Sequence, residues 1–66
     1  MFIDTLEIEE MLSEYYDFSE FTDTDWEKVD SIVRKTCKAR GVSPTRDYDT
    51  YCAICDGAVA KVLKAE

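Results

Sequence analysis

Three observations predict an all-α protein, a small three-helix bundle. Two capping-box starts each lead into apolar residues at helical spacing, a glycine closes one helix, and no alternating run bounded by turn residues reads as a strand. The predicted helices cover about residues 5–16, 25–40 and 44–64. The 66 residues make one helical domain with an acidic N-terminal half, near the lower size limit for a core without a staple or partner.

The first helix starts at Asp4, Thr5, Leu6, Glu7, with Asp4 as N-cap, Glu7 as its N3 acid, and Ile3 and Ile8 as the staple pair. Ile8, Met11, Leu12 and Tyr15 follow at i, i+3, i+4, i+7, and the pattern fails between Asp17 and Phe21. The second helix repeats the box at Thr24, Asp25, Trp26, Glu27, and Trp26, Val29, Ile32, Val33 and Cys37 share its inner face. Its end carries Arg34, Lys35, Lys38 and Arg40 at the negative pole of the helix dipole, then Gly41 for a left-handed C′ and Val42 as apolar C″. Ser43 and Pro44 are read as N-cap and N1 of the third helix, whose inner face steps through Tyr48, Cys52, Cys55, Val59 and Val62. Gly57 costs about 1 kcal/mol in a helix interior, so a packing reason is expected. With Ala53, Ala58 and Ala60 nearby, that reason would be close approach by helix 1 or by a second copy of the chain.

Charge is the strongest functional signal. The first 27 residues hold ten carboxylates and no lysine or arginine. Residues 1–30 carry a formal charge of −10 and residues 31–66 carry +3, which gives the net −7. A chain this lopsided fits a partner with a basic surface. Glu7, Glu10, Glu14 and Asp17 fall at i, i+3, i+7, i+10 on one predicted stripe, at spacings of about 5 Å, the order of phosphate spacing along a nucleic-acid strand. A solvated acidic face explains most such stripes, but the lack of interspersed lysine and the continuation into helix 2 put a used surface on an equal footing with it. From Tyr15 to Trp26 five aromatics are interleaved with four acids, including Asp23 and Asp25. Arginine can pair with the acid and stack on the ring. Core closure accounts for most of these rings; Tyr16, off the helix 1 stripe, is the one expected to be exposed.

Other chemistry is poorly supported. Cys52 and Cys55 form a CxxC, but inside a helix, away from the strand-to-helix turn of a redox pair, and with Cys37 they make three ligands where zinc needs four, so all three read as buried small hydrophobes. Asp23, Asp25 and Glu27 imitate a calcium loop, but Lys28 replaces its glycine and Arg34 its bidentate glutamate. The chain has no histidine, and no carboxylate pair stands out as an acid–base couple, so an enzyme is not expected and neither is a cofactor. The stretch Cys37 to Ser43 looks like the turn of a helix-turn-helix, yet the helix after it opens with Asp47 and Asp49, and the net charge opposes direct nucleic-acid binding.

An odd cysteine count, no apolar run near 18 residues and no basic leader at the N-terminus predict an intracellular, cytoplasmic protein without a membrane partner. In size and charge the chain resembles the short acidic proteins that viruses use against host nucleases, such as anti-restriction and anti-CRISPR inhibitors. That resemblance implies a nucleic-acid mimic, docking Glu7, Glu10, Glu14, Asp17, Asp23, Asp25 and Tyr16 on a nucleic-acid-binding groove. The alternative is a structural or adaptor protein that forms a homodimer through helix 3 around Gly57.

Overall fold

A computed structural model describes residues 1–65 and contains three helices: α1 Thr5–Leu12, α2 Asp23–Arg40 and α3 Tyr48–Ala65. The expected three-helix bundle is present. Helices α2 and α3 form an antiparallel hairpin joined through residues 41–47, and their 18 residues each, at about 1.5 Å per residue, set the 31 Å long axis of a molecule 20 by 19 Å across. Helix α1 covers the hairpin. Ile3, Ile8 and Leu12 from the N-terminal segment meet Val29, Val33 and Cys37 of α2 and Ile54, Cys55, Val59 and Val62 of α3 in one buried cluster. Burying each larger aliphatic side chain contributes about 1.5–3 kcal/mol relative to leaving it in water.

The start of α1 follows the sequence in its N-cap and staple but not in the reciprocal half of the box, because the Glu7 carboxylate turns to the Tyr48 hydroxyl and not back to Asp4. Asp4 accepts the Glu7 amide through Oδ1 at 3.2 Å, and the staple residues Ile3 and Ile8 are both buried. Its end does not. The helix stops at Leu12, four residues short of the expected Tyr16, and the Tyr15 and Tyr16 amides both bond the Leu12 carbonyl, at 2.9 and 3.0 Å, to close a terminal turn. Glu9, Glu10 and Glu14 crowd the pole of the dipole that favours cations, and the last turn has no base to offset them. With the helix closed early, Tyr15 leaves the core face and is 72% exposed.

Helix α2 begins two residues before its expected start. The capping box is Thr22 with Asp25, in place of Thr24 with Glu27: Thr22 Oγ1 accepts the Asp25 amide at 3.2 Å and Asp25 Oδ2 accepts the Thr22 amide at 3.0 Å. Packing selects this register. It puts Phe21 at N′ and Trp26 at N4 as a hydrophobic staple, rings 4.8 Å apart, whereas a Thr24 cap would put Asp23 and Lys28 there. Phe18 stacks on Trp26 at 5.4 Å and meets Phe21 edge-on at 5.2 Å, closing that end of the bundle.

At the other end of α2 the expected stop is present. Gly41 has φ 65° and ψ 33°, the Val42 amide reaches back to the Cys37 carbonyl at 2.9 Å, and Val42 packs on the core. Ser43 caps a single turn, not α3 itself. Its Oγ accepts the Thr45 and Arg46 amides, Asp47 Oδ2 accepts the Ser43 amide at 3.0 Å, and regular helix begins only at Tyr48, later than the expected 44. Tyr48, expected on the inner face, is exposed as a result. Gly57 has no packing reason within the chain: it is exposed, with nothing within 4 Å of where a Cβ would stand.

Candidate functional site

Glu7, Glu10, Glu14, Asp17 and Asp23 are all exposed. They do not form one helical row, because α1 ends before Glu14 and Asp17. Glu7 accepts the Tyr48 hydroxyl at 3.0 Å and so faces the start of α3. Asp17 instead accepts the Ser19 amide at 2.9 Å in a tight turn of the α1–α2 connection; that backbone bond, then the Ser19 side chain, holds its carboxyl below the usual range.

Two residues read as surface contacts have other work. Asp25 is only 4% exposed, because its carboxylate turns back to cap α2. Tyr16 is half-buried, against expectation, since closure of α1 at Leu12 turns it inward in place of Tyr15. Its hydroxyl donates to Asp56 of α3 in a hydrogen bond, and its ring meets Phe18 at 6.4 Å. That bond, burial and the charge of Asp56 raise the Tyr16 pKa, so the phenol stays neutral and ties the connection to α3.

The shortened helix builds a cleft in place of the stripe. Glu9, Ser13, Glu14, Tyr15, Tyr16, Asp17, Phe18 and Ser19 line an open concavity of about 560 Å³. Three carboxylates and three rings therefore converge where α1 ends. Of these, Glu9 was missed in the sequence because it lies off the i, i+3, i+7 row, and the row lost its meaning once the helix ended. No family model, curated protein or solved structure matches the chain.

Among the described residues, no ion pair involves these carboxylates; the pair present joins the neighbours Arg46 and Asp47 at 2.9 Å. A cation entering the cleft would meet charges that the chain does not itself neutralise. Each exposed pair is worth only about 0.2–1 kcal/mol, so several carboxylates and a ring face must act together. Asp23, in the first turn of α2, adds to the same field from beside the helix N-terminus.

Arg46 and the cysteines are engaged away from the cleft. Arg46 bonds Asp47 through Nε and Nη2 and the Gly41 carbonyl through Nη2 at 3.0 Å, which locks the α2–α3 turn. Cys37 and Cys55 are buried and Cys52 half-buried, all as free thiols. Burial raises the Cys37 thiol and pushes Cys55 up to about 11, the opposite of what a nucleophilic or redox cysteine needs. Among the described residues there is no group of three or more side chains placed to hold a metal, and no helix is long and apolar enough to cross a membrane.

Proposed function

We propose that the chain is a small acidic binding module that docks its α1–α2 region on a basic surface of a nucleic-acid-binding protein and so excludes nucleic acid from that surface. The observation that carries this reading is the cleft at the end of α1, where Glu9, Glu14 and Asp17 meet the exposed ring of Tyr15. Lysines and arginines that hold phosphates would find there both charge and a ring to stack on. The action is steric and electrostatic and involves no catalysis. An intracellular, reducing compartment belongs to the same reading, supported by three free thiols.

The test is affinity capture from host lysate with the wild-type chain and with the triple variant Glu9→Gln, Glu14→Gln, Asp17→Gln, eluted by stepwise salt or added DNA. Wild type should retain a nucleic-acid-binding protein that salt and DNA both displace, and the variant should not. Equal recovery by both chains would overturn the reading.

A second reading is self-association. It is favoured by the groove of about 550 Å³ between α2 and α3, lined among others by Ile32, Ala53, Gly57 and Lys61, where Gly57 leaves open space. Sedimentation of wild type and Gly57→Leu at tens of micromolar decides it: self-association requires a wild-type dimer that the leucine abolishes.

A further inference from the structure

A second cleft, of about 430 Å³, opens between the N-terminal segment and the start of α3, lined by Phe2, Asp4, Glu7, Pro44, Tyr48 and Tyr51 among others. We infer that it seats an arginine side chain from a basic segment of the partner protein, as an anchor separate from the cleft at the end of α1. This rests on the reading of the chain as a docking module for a basic protein.

Two exposed aromatic rings line this cleft, Phe2 from the N-terminal segment and Tyr48 from α3. Isolated exposed apolar side chains are ordinary; two rings 46 positions apart that line one cleft are less so. Phe2 and Tyr48 remain 41% and 46% exposed while Tyr51 beneath them is buried.

The walls are fixed in advance. The Ile3 amide, next to Phe2, donates to Asp30 Oδ1 at 2.9 Å in a buried bond, and Asp4 caps α1, so the segment bearing Phe2 is pinned on its C-terminal side. Tyr48 donates to Glu7 Oε1 at 3.0 Å, which holds one carboxylate at the cleft. A phenol is protonated at neutral pH whatever its surroundings, and the adjoining Cys52 thiol and then Glu7 push the Tyr48 pKa further up, to about 12. A site formed before binding loses less freedom when it is filled.

Charge selects the occupant. Rings and a proline alone would accept any apolar group, but Asp4 and Glu7 at the rim, inside a segment of charge −10, make a cation the complementary guest. Among protein cations the guanidinium is planar and weakly hydrated, and it can stack on a ring while bonding a carboxylate; the lysine ammonium is a compact, strongly hydrated charge.

The experiment is an NMR titration of the full chain with two probes of equal charge, an alternating arginine–glycine octapeptide and its lysine–glycine counterpart. The arginine probe should shift Phe2 and Tyr48 ring protons, give cross-peaks from arginine methylenes to those rings, and bind at least about threefold tighter than the lysine probe. Phe2→Ala should remove the cross-peaks and weaken binding by a similar factor, with its other amide shifts unchanged as the control for folding. Equal binding of both probes would overturn the choice of arginine. Shifts confined to Tyr15 and Phe18, with Phe2→Ala neutral, would overturn this site and leave the proposed function standing; no shift at either cleft would count against both. Cross-peaks from Phe2 to the chain's own Arg34 or Arg40, growing with protein concentration, would replace the partner with a second copy.

Discussion

Asp30 lies in the middle of α2, 7% exposed, and accepts the backbone amide of Ile3 from 27 positions away. Removing the acceptor leaves a buried N–H without a partner, which costs about 1–3 kcal/mol. Asp30→Ala should therefore lower stability in urea by about 2 kcal/mol and speed hydrogen exchange at Ile3, while Asp30→Asn, which keeps an oxygen there, should cost less than half as much. Nothing in the sequence marks this residue, because an acid within a predicted helix reads as solvated and its partner is a backbone group of another segment. Tyr16 with Asp56 and Glu7 with Tyr48 join residues 40 and 41 apart and were invisible for the same reason. Asp25 differs, since Phe21 and Trp26 at the staple positions favour Thr22 as the cap and would have revealed the true box.

At the scale of the element, the two glycines separate backbone strain from packing. Gly41 has φ 65° with open space around it, so Gly41→Ala pays only for a left-handed backbone, about 1 kcal/mol. Gly57 also has open space but lies in a regular helix, so Gly57→Ala should stabilise by about 0.5–1 kcal/mol. Thermal melts of the two variants should move in opposite directions. Gly41 was legible because Val42 and the basic last turn of α2 agree with it, whereas Gly57 has no neighbour that explains it. Helix α1 offers a trade. Glu14→Lys at its C-terminal end should raise stability by about 0.3–1 kcal/mol through the dipole, and the proposed function adds that it should weaken capture of a basic protein, because Glu14 also lines the cleft. A variant that melts higher and still binds as wild type would detach Glu14 from the docking face.

For the whole molecule, the inner faces were legible and the ties across the bundle were not. Val29, Val33, Cys37, Cys55, Val59 and Val62 all lie where helical spacing places them, since burial repeats with the helix. The core also sets the alkaline limit. Cys55 has its thiol pushed from 9.0 to about 11 by burial, and Tyr51 is raised by burial as well, so both stay neutral in the folded chain when the unfolded chain has begun to ionise. Raised values of this sign give stability that is complete below pH 9 and lost as pH climbs from about 9 towards 11. Melting followed over that range should lose on the order of 2 kcal/mol from Cys55, and Cys55→Ala should begin less stable and fall less steeply.

The seven-residue connection, residues 41–47, between the two long helices also governs time. Closing so short a loop costs little chain entropy, and an all-helical chain draws most of its contacts from within its helices, so the hairpin belongs with the fast helical folders that form in microseconds to milliseconds. A newly made chain would then spend very little time with its acidic arm and apolar stripes exposed together.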